Sequence, residues 1–106
     1  MVDVRVDRAN GVEYESKVVT TAGTEISLSP TVETTANTEL LRSVLVKAKA
    51  TNAGAIYIGP IGLTSSTVHM VSLEAGKSKE FTINHDAIGL DAAVDGEGAD
   101  VFYLYS

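Results

Sequence analysis

The side chains of this sequence with the clearest potential for chemistry are two histidines, His69 and His85. A zinc site would need both of them to converge with a carboxylate, and no short spacing between ligands supports that arrangement. We therefore expect a half-buried strand histidine at position 69, a turn histidine at position 85, and no metal site.

Three carboxylates lie close together near the carboxyl end, at Asp95, Glu97 and Asp100. Calcium takes oxygen ligands, so a loop site is chemically feasible, although the spacing is not that of the EF-hand loop. We favour a plain acidic hairpin tip over residues Asp95 to Asp100, with calcium binding as the alternative.

Residues Gly76, Lys77 and Ser78 have the ending of a phosphate-binding loop, but that motif also needs a glycine five residues before Gly76. Val71 occupies that position, and the segment joins two strand-like runs, so we interpret it as a turn. A serine nucleophile needs a base and an orienting acid, and the sequence has no Gly-x-Ser-x-Gly motif. Cysteine is absent, which excludes a cysteine nucleophile and thiolate zinc sites. We expect a non-enzymatic protein with no catalytic residues and no cofactor.

The composition is that of one globular domain, with 106 residues of which 44% are hydrophobic. Eight basic and fourteen acidic residues give a net charge of −6, which lacks the basic footprint of a nucleic-acid-binding protein. No apolar run approaches the roughly 18 residues of a membrane span, and the first residues do not have the pattern of a signal peptide. We therefore expect no direct contact with nucleic acid and none with a membrane.

Short segments of alternating polarity, separated by glycine-marked turns, predict the secondary structure. The expected strands cover residues 2–7, 12–19, 44–51, 55–59, 79–83 and 99–105. This spacing indicates an all-β protein, either an antiparallel β-sandwich or a jelly-roll-like barrel. Within a single domain, 1–106, we expect an N-terminal β arm or hairpin over 1–30, a Thr-rich loop over 31–38, and the sandwich core over 39–106.

The segment from Leu40 to Ala50 fits two structures. Leu40, Leu41 and Val44 lie on one face of a helix, together with Leu45 and Ala48 further along. The same segment alternates as a strand does, with apolar residues at every second position from Val44. We favour the strand, beginning at about Ser43.

The expected core consists of large apolar residues from the alternating segments, with one aromatic residue from the last strand. These are Val44, Val46, Ile56, Ile58, Leu73, Phe81, Ile83, Leu90, Val101, and either Phe102 or Tyr103.

The stretch from Val44 to Gly59 resembles a recurring pattern of phage proteins, in which an apolar strand, Asn-x-Gly and an aliphatic–aromatic strand ending in glycine follow one another. Leu63-Thr64-Ser65-Ser66 then forms the loop, and Leu73-Glu74-Ala75-Gly76 matches the turn before the next strand. Over residues 43–106 the chain is similar to small β-sandwich proteins of tailed bacteriophage particles, including capsid decoration and tail-associated proteins. The resemblance implies a virion structural role and carries no catalytic residues.

The function expected from this resemblance is a capsid decoration, or cement, protein that binds the outside of the phage head and stabilises it. Its partners would be the major capsid protein or other virion subunits, with assembly in the host cytoplasm. The alternatives are a neck, tail or fibre-associated structural protein, and a carbohydrate-binding or adhesive β-sandwich.

Three valines near the start, Val2, Val4 and Val6, alternate with charged residues and predict a strand that needs a pairing partner. We expect this strand to contact a neighbouring subunit by strand addition and the protein to form a homo-oligomer, with a trimer favoured. The alternative is that the strand closes its own sandwich.

Overall fold

The computed structural model describes residues 11–29, 41–83 and 87–105. These residues form eight strands and contain no α-helix, which confirms the all-β prediction. The strands are β1 (Gly11–Val19), β2 (Ile26–Ser27), β3 (Leu41–Ala48), β4 (Ile56–Pro60), β5 (Val71–Leu73), β6 (Ser78–Phe81), β7 (Ile88–Ala92) and β8 (Glu97–Tyr105).

The strands form two four-stranded sheets, which we call the first and the second sheet. The first sheet has the order β1-β8-β3-β6, and the second has the order β2-β7-β4-β5. All pairs within them are antiparallel, an arrangement that is compatible with a β-sandwich. The predicted strand over 2–7, with Val2, Val4 and Val6, lies outside the described residues, and so does the predicted loop over 31–38.

The ambiguous segment is a strand, and it begins at Leu41, slightly before the predicted start. Strand β3 lies between two neighbours, with Val44 opposite Tyr103 of β8 on one side and Phe81 of β6 on the other. This pairing satisfies the backbone hydrogen bonds on both edges of β3, so tertiary pairing decides between the two patterns that the sequence allowed.

The core lies between the two sheets and contains most of the predicted residues. Tyr103, not Phe102, points inward, and its hydroxyl donates to the buried carbonyl oxygen of Leu28 at 2.5 Å. Buried apolar side chains are Val19, Leu28, Val44, Val46, Ala48, Ile56, Ile58, Leu73, Phe81, Ile88, Leu90, Ala92, Ala99, Val101 and Tyr103.

The prediction of Ile83 as a core residue is wrong, since its side chain is 41% exposed. Strand β6 ends at Phe81, two residues before the predicted end. The alternation that places Phe81 in the core therefore does not continue to Ile83.

Candidate interaction surfaces

From Val12 to Lys17, strand β1 turns its apolar side chains to solvent and its charged side chains toward the interior, whereas Val19 at its end is buried in the core. Val12 is 62% and Tyr14 is 57% exposed, whereas Lys17 is only 8% exposed. The Lys17 ammonium lies 3.3 Å from a carboxylate oxygen of Glu15, two positions earlier on the same face. This ion pair compensates the buried charge of Lys17.

The pairing of β1 with β8 determines which side of β1 faces outward. Val18 lies opposite Gly98, and Lys17 lies opposite the buried Ala99. A Cβ atom at Gly98 would lie 1.9 Å from the carbonyl oxygen of Lys17, so the close approach of the two backbones requires glycine there. This contact helps to hold the register in which Val12 and Tyr14 point away from the core.

The outward side chains of three neighbouring strands form one apolar surface. In the register of the first sheet, Val12 lies opposite Leu104, and Tyr14 lies opposite Phe102, which is in turn opposite Leu45. The rings of Tyr14 and Phe102 have centroids 5.2 Å apart and are tilted by 39°. We call this surface, consisting of Val12, Tyr14, Leu45, Phe102 and Leu104, the first-sheet face.

A polar group borders the first-sheet face on its side toward the β7–β8 turn. A single carboxylate oxygen of Asp100 accepts a hydrogen bond from the Tyr14 hydroxyl at 2.9 Å and one from the Lys49 ammonium at 2.7 Å. The bond from Lys49 lowers the pKa of Asp100, and the bond to Asp100 raises the pKa of Tyr14. Lys49 therefore balances the charge of Asp100, and Lys47 lies opposite Asp100 on β3.

The loop between β4 and β5 is a second exposed apolar surface. Leu63 is 65% exposed and Met70 53%, and Ile61 and Val68 are exposed as well. We call residues 61–70 the apolar loop. Solvent-exposed loops are usually polar, so four large apolar side chains on one loop indicate a contact surface.

Hydrogen bonds fix the first half of the apolar loop to the second sheet. The Glu25 carboxylate accepts hydrogen bonds from the backbone amides of Gly62 at 2.5 Å and Thr64 at 2.7 Å. The Thr64 side chain is buried, and its hydroxyl donates to the carbonyl oxygen of Pro60 at 2.7 Å.

Hydrogen bonds and a ring contact also fix the second half of the apolar loop. The Ser65 hydroxyl accepts a hydrogen bond from the amide of Val68 at 3.0 Å. The Nδ1 atom of His69 lies 2.9 Å from the carbonyl oxygen of Ser65, and the His69 ring packs on Tyr57 with centroids 4.8 Å apart. The loop therefore presents its apolar side chains from a fixed backbone.

Two glycines allow the loop and Glu25 to approach the second sheet closely. Gly59 and Gly89 are opposite each other in the β4–β7 pair, on the side away from the core. A Cβ atom at Gly59 would lie 3.0 Å from the Cα atom of His69, and one at Gly89 would lie 2.6 Å from a carboxylate oxygen of Glu25. A side chain at Gly89 would therefore displace the residue that holds the loop.

The structure tests the predicted position of only one of the two histidines. His69 is half-buried as expected, but it lies in the apolar loop and not in a strand. His85 lies outside the described residues. Within 11–29, 41–83 and 87–105, no three residues of metal-binding type lie close enough together to hold an ion.

The three carboxylates of the acidic hairpin point to different parts of the fold. Asp95 accepts from the amide of Ala22 at 2.7 Å, and Glu97 accepts from the amides of Ala53 at 2.6 Å and Gly54 at 3.0 Å. Asp100 is bound to Lys49 and Tyr14 on the first-sheet face. These side chains fasten neighbouring loops to the hairpin, and they do not converge as calcium ligands would.

A shallow depression of about 320 Å³ lies between the β1–β2 turn and the apolar loop. Its acidic group is Asp91, which is 1% exposed and accepts hydrogen bonds from the amides of Gly23 at 2.9 Å and Ala92 at 2.8 Å. Asp91 therefore anchors the turn in the same way as the hairpin carboxylates anchor theirs.

Gly76 and Lys77 lie in a turn between β5 and β6, as predicted, and Ser78 begins β6. Gly76 has a positive φ of 81°, a conformation that glycine adopts without strain. The amide of Lys77 donates to the carbonyl oxygen of Glu74 at 2.9 Å, which closes the turn.

Sequence reasoning did not single out the apolar loop, the first-sheet face or Glu25. One signal for the loop was available, because no charged residue occurs between Lys49 and Glu74 in a chain with 21% charged residues. Glu25 gave no comparable signal, since its partners are far away along the chain.

Comparisons of the chain with known protein families, with curated proteins and with solved structures found no match. Among the described residues, no helix has the length and apolar character needed to cross a membrane.

Proposed function

We propose that this protein is a non-enzymatic structural subunit of a bacteriophage particle, and specifically a capsid decoration protein on the outside of the head. The observation that supports this function best is the first-sheet face. An antiparallel sheet with one solvated side ordinarily turns polar residues outward, and β1 does the opposite from Val12 to Glu15. An apolar patch that a monomer leaves exposed is typical of a surface that another protein covers.

The chemistry of the first-sheet face suits a protein–protein contact. Exposed Tyr14 and half-buried Phe102 are aromatic residues of the kind enriched at interface centres, and the aliphatic side chains of Val12 and Leu104 flank them. The sandwich beneath supplies a rigid base, so little conformational entropy is lost when the face is covered.

The charge of the chain is consistent with a subunit that is added to a finished shell. A net charge of −6 keeps free subunits apart in solution and repels them from packaged DNA. Many weak copies on a symmetric lattice bind more strongly than one copy does, so a small protein can stabilise a capsid. The major capsid protein is the proposed partner.

The first alternative is a neck, tail or fibre-associated subunit, for which the same face would be a contact between components. Copy number separates the two. A decoration protein that covers a shell should be present at on the order of hundreds of copies per particle, and a ring-forming connector at roughly a dozen or fewer.

The second alternative is a carbohydrate-binding or adhesive sandwich, which the pairing of Tyr14 with Phe102 on one exposed face favours. Sugars stack on the faces of exposed aromatic rings. In this protein the hydrogen bond from the Tyr14 hydroxyl to Asp100 holds the Tyr14 ring in place. Isothermal titration calorimetry with host surface glycans tests this alternative, and micromolar binding that Tyr14→Ala removes would support it over the structural role.

The decisive experiment is quantitative mass spectrometry of particles purified from the phage that encodes this chain, followed by co-sedimentation of the protein with undecorated heads. We expect high copy number and binding that Tyr14→Asp weakens at least tenfold. The matched control is Val94→Asp, a substitution at an exposed valine of the β7–β8 turn that lies off the face. Absence of the protein from purified particles would refute the proposal.

A further inference from the structure

We propose that the depression between the β1–β2 turn and the apolar loop binds an alkylammonium group, the protonated end of a primary amine, through the carboxylate of Asp91. Such a group can come from a free aliphatic amine or from the lysine side chain of a partner protein. The inference does not depend on the proposed function, because the site lies on the second sheet and not on the first-sheet face.

One oxygen of the Asp91 carboxylate has no hydrogen-bond partner among the described residues. Asp91 lies opposite Tyr57 in the β4–β7 pair, on the side of the second sheet away from the core, and its side chain is 1% exposed. The amides of Gly23 and Ala92 both donate to its Oδ1 atom, so Oδ2 accepts no bond from the part of the chain that the structure describes. Buried charges are ordinarily paired, and an unpaired carboxylate oxygen that lines a depression indicates a cationic donor supplied by a ligand.

The distribution of charge around the depression favours a cation. The second sheet and the loops beside it, over residues 20–29, 50–76, 82–83 and 87–96, contain no lysine or arginine, and their carboxylates are Glu25, Glu74, Asp91 and Asp95. The described basic residues lie in the first sheet or directly beside its strands, and they are Lys17, Arg42, Lys47, Lys49, Lys77 and Lys79. A cation that approaches the second sheet is therefore attracted, whereas a neutral ligand such as a sugar gains nothing from this charge.

The available acceptors fit an ammonium group better than a metal ion or a guanidinium group. Within the described residues, no three side chains of metal-binding type lie close together, and a calcium ion takes six to eight oxygen ligands. A guanidinium group binds a carboxylate best through both oxygens, and two amides already occupy Oδ1 of Asp91. An ammonium group has three donors around a point charge, so it needs one carboxylate oxygen and two further acceptors.

Two hydroxyl groups can supply those further acceptors. The side chains of Tyr57 and Ser66 line the depression, and neither hydroxyl has a hydrogen-bond partner among the residues that the structure describes. Ala22 and Ala93 add apolar lining. The volume of about 320 Å³ exceeds that of an ammonium group, so the methylene groups of the ligand can pack on the alanines and the tyrosine ring.

Both sides of the depression are fixed before a ligand binds. On one side, Asp95 holds the amide of Ala22 in the β1–β2 turn. On the other side, the His69 ring packs on Tyr57, and Nδ1 of His69 lies 2.9 Å from the carbonyl oxygen of Ser65. A site that is already ordered loses little conformational entropy on binding, so even a small amine can bind measurably.

Titration of the full chain with n-butylamine near neutral pH tests the site, with amide NMR spectra as the readout. We expect saturable shifts of the amides of Gly23 and Ala92, with a dissociation constant on the order of millimolar. Butanol has nearly the same shape without the charge, and butylguanidine has the charge without the ammonium geometry. Both should bind about tenfold more weakly or less, and sodium chloride at equal ionic strength should give no saturable shift.

Asp91→Asn removes the charge with little change in shape and should weaken n-butylamine binding by about tenfold or more. The matched control is Glu74→Gln, which changes the net charge equally at an exposed residue outside the depression and should leave binding within about twofold. Tyr57→Phe removes one acceptor and should weaken binding about threefold, which provides a second variant in case Asp91→Asn does not fold.

Three results would each overturn the inference: no saturable shift at Gly23 and Ala92 with n-butylamine up to about 50 mM, equal binding of butanol, or unchanged binding by folded Asp91→Asn. Two further ligands distinguish the sources of the ammonium group. Tighter binding of diaminobutane than of Nα-acetyl-lysine amide supports a free amine, and the reverse order supports the lysine side chain of a partner. Loss of binding to phage heads, by contrast, would count against the proposed function and leave this site unaffected.

Discussion

The substitution Glu25→Ala should loosen the apolar loop without unfolding the sandwich. The Glu25 carboxylate accepts two short hydrogen bonds, from the amides of Gly62 and Thr64 at 2.5 and 2.7 Å. The side chain lies on the solvent side of the second sheet and is half-buried, so its loss creates no cavity in the core.

The magnitude follows from those two bonds. An intramolecular hydrogen bond contributes about 0.5–1.5 kcal/mol net, and because the Glu25 carboxylate is only half-buried we assign each of the two bonds about 1 kcal/mol. Removing both should lower the free energy of opening the loop by about 2 kcal/mol. Since about 1.4 kcal/mol corresponds to a factor of ten, the amides of Gly62 and Thr64 should exchange with solvent roughly 30-fold faster.

Amide hydrogen exchange measured by NMR checks this expectation residue by residue. Amides of β3 provide the internal reference and should change little. The control is Glu74→Ala, since Glu74 is exposed and its side chain makes no hydrogen bond within the described residues. Exchange at Gly62 and Thr64 that stays within about threefold of the unaltered protein, equivalent to less than ~0.7 kcal/mol, would refute the assignment of Glu25 as the residue that holds the loop.

Three further predictions follow from the fold, and a fourth follows from the sequence of residues outside the described structure. Tyr103→Phe leaves a buried carbonyl oxygen without its donor and should lower the free energy of unfolding by about 1–3 kcal/mol in urea titrations, with an unchanged m value. Ile58→Ala should lower it by about 2–5 kcal/mol because a cavity remains, whereas Ile83→Ala should change it by less than about 0.5 kcal/mol. The pKa of Asp100 is lowered in the folded protein, so its contribution to stability is present above the ordinary value of 3.8 and is lost as the pH falls through the folded value. Asp100→Asn should therefore flatten the stability profile below pH 3.8, and an unchanged acid slope would contradict this. Deletion of residues 2–9 should leave a folded protein with reduced oligomeric mass or reduced binding to heads, and outright unfolding in circular dichroism would show instead that the strand belongs to its own sandwich.

The local alternation of apolar and polar residues was sufficient to predict the position of most of the strands. The period-2 alternation over 12–19 and 99–105 corresponds to β1 and β8, and the turn at Gly76 was recognised from its residue types. Strand ends were less accurate, as at β6, because a strand ends where its pairing ends. The pairing partner of β6 is β3, more than thirty residues earlier in the chain.

The candidate surfaces depended on information that no local pattern contains. Alternation of Val12 and Tyr14 with Glu13 and Glu15 shows that two faces differ, but it does not show which face is inward. Glu25 illustrates the same limit, because its role is defined by the amides of a loop on another part of the chain.

By itself, the sequence determined that this protein is an all-β domain without a cysteine-based site or a membrane-spanning apolar run, because composition and short-range periodicity are local properties. The tertiary structure decided the orientation of β1, the position of Tyr103 rather than Phe102 in the core, and the exposure of Ile83. It also decided that the hairpin carboxylates bind backbone amides and an ammonium group instead of converging. These outcomes depend on the register between distant strands, and a shift of one residue in that register exchanges the buried and exposed sides of a strand.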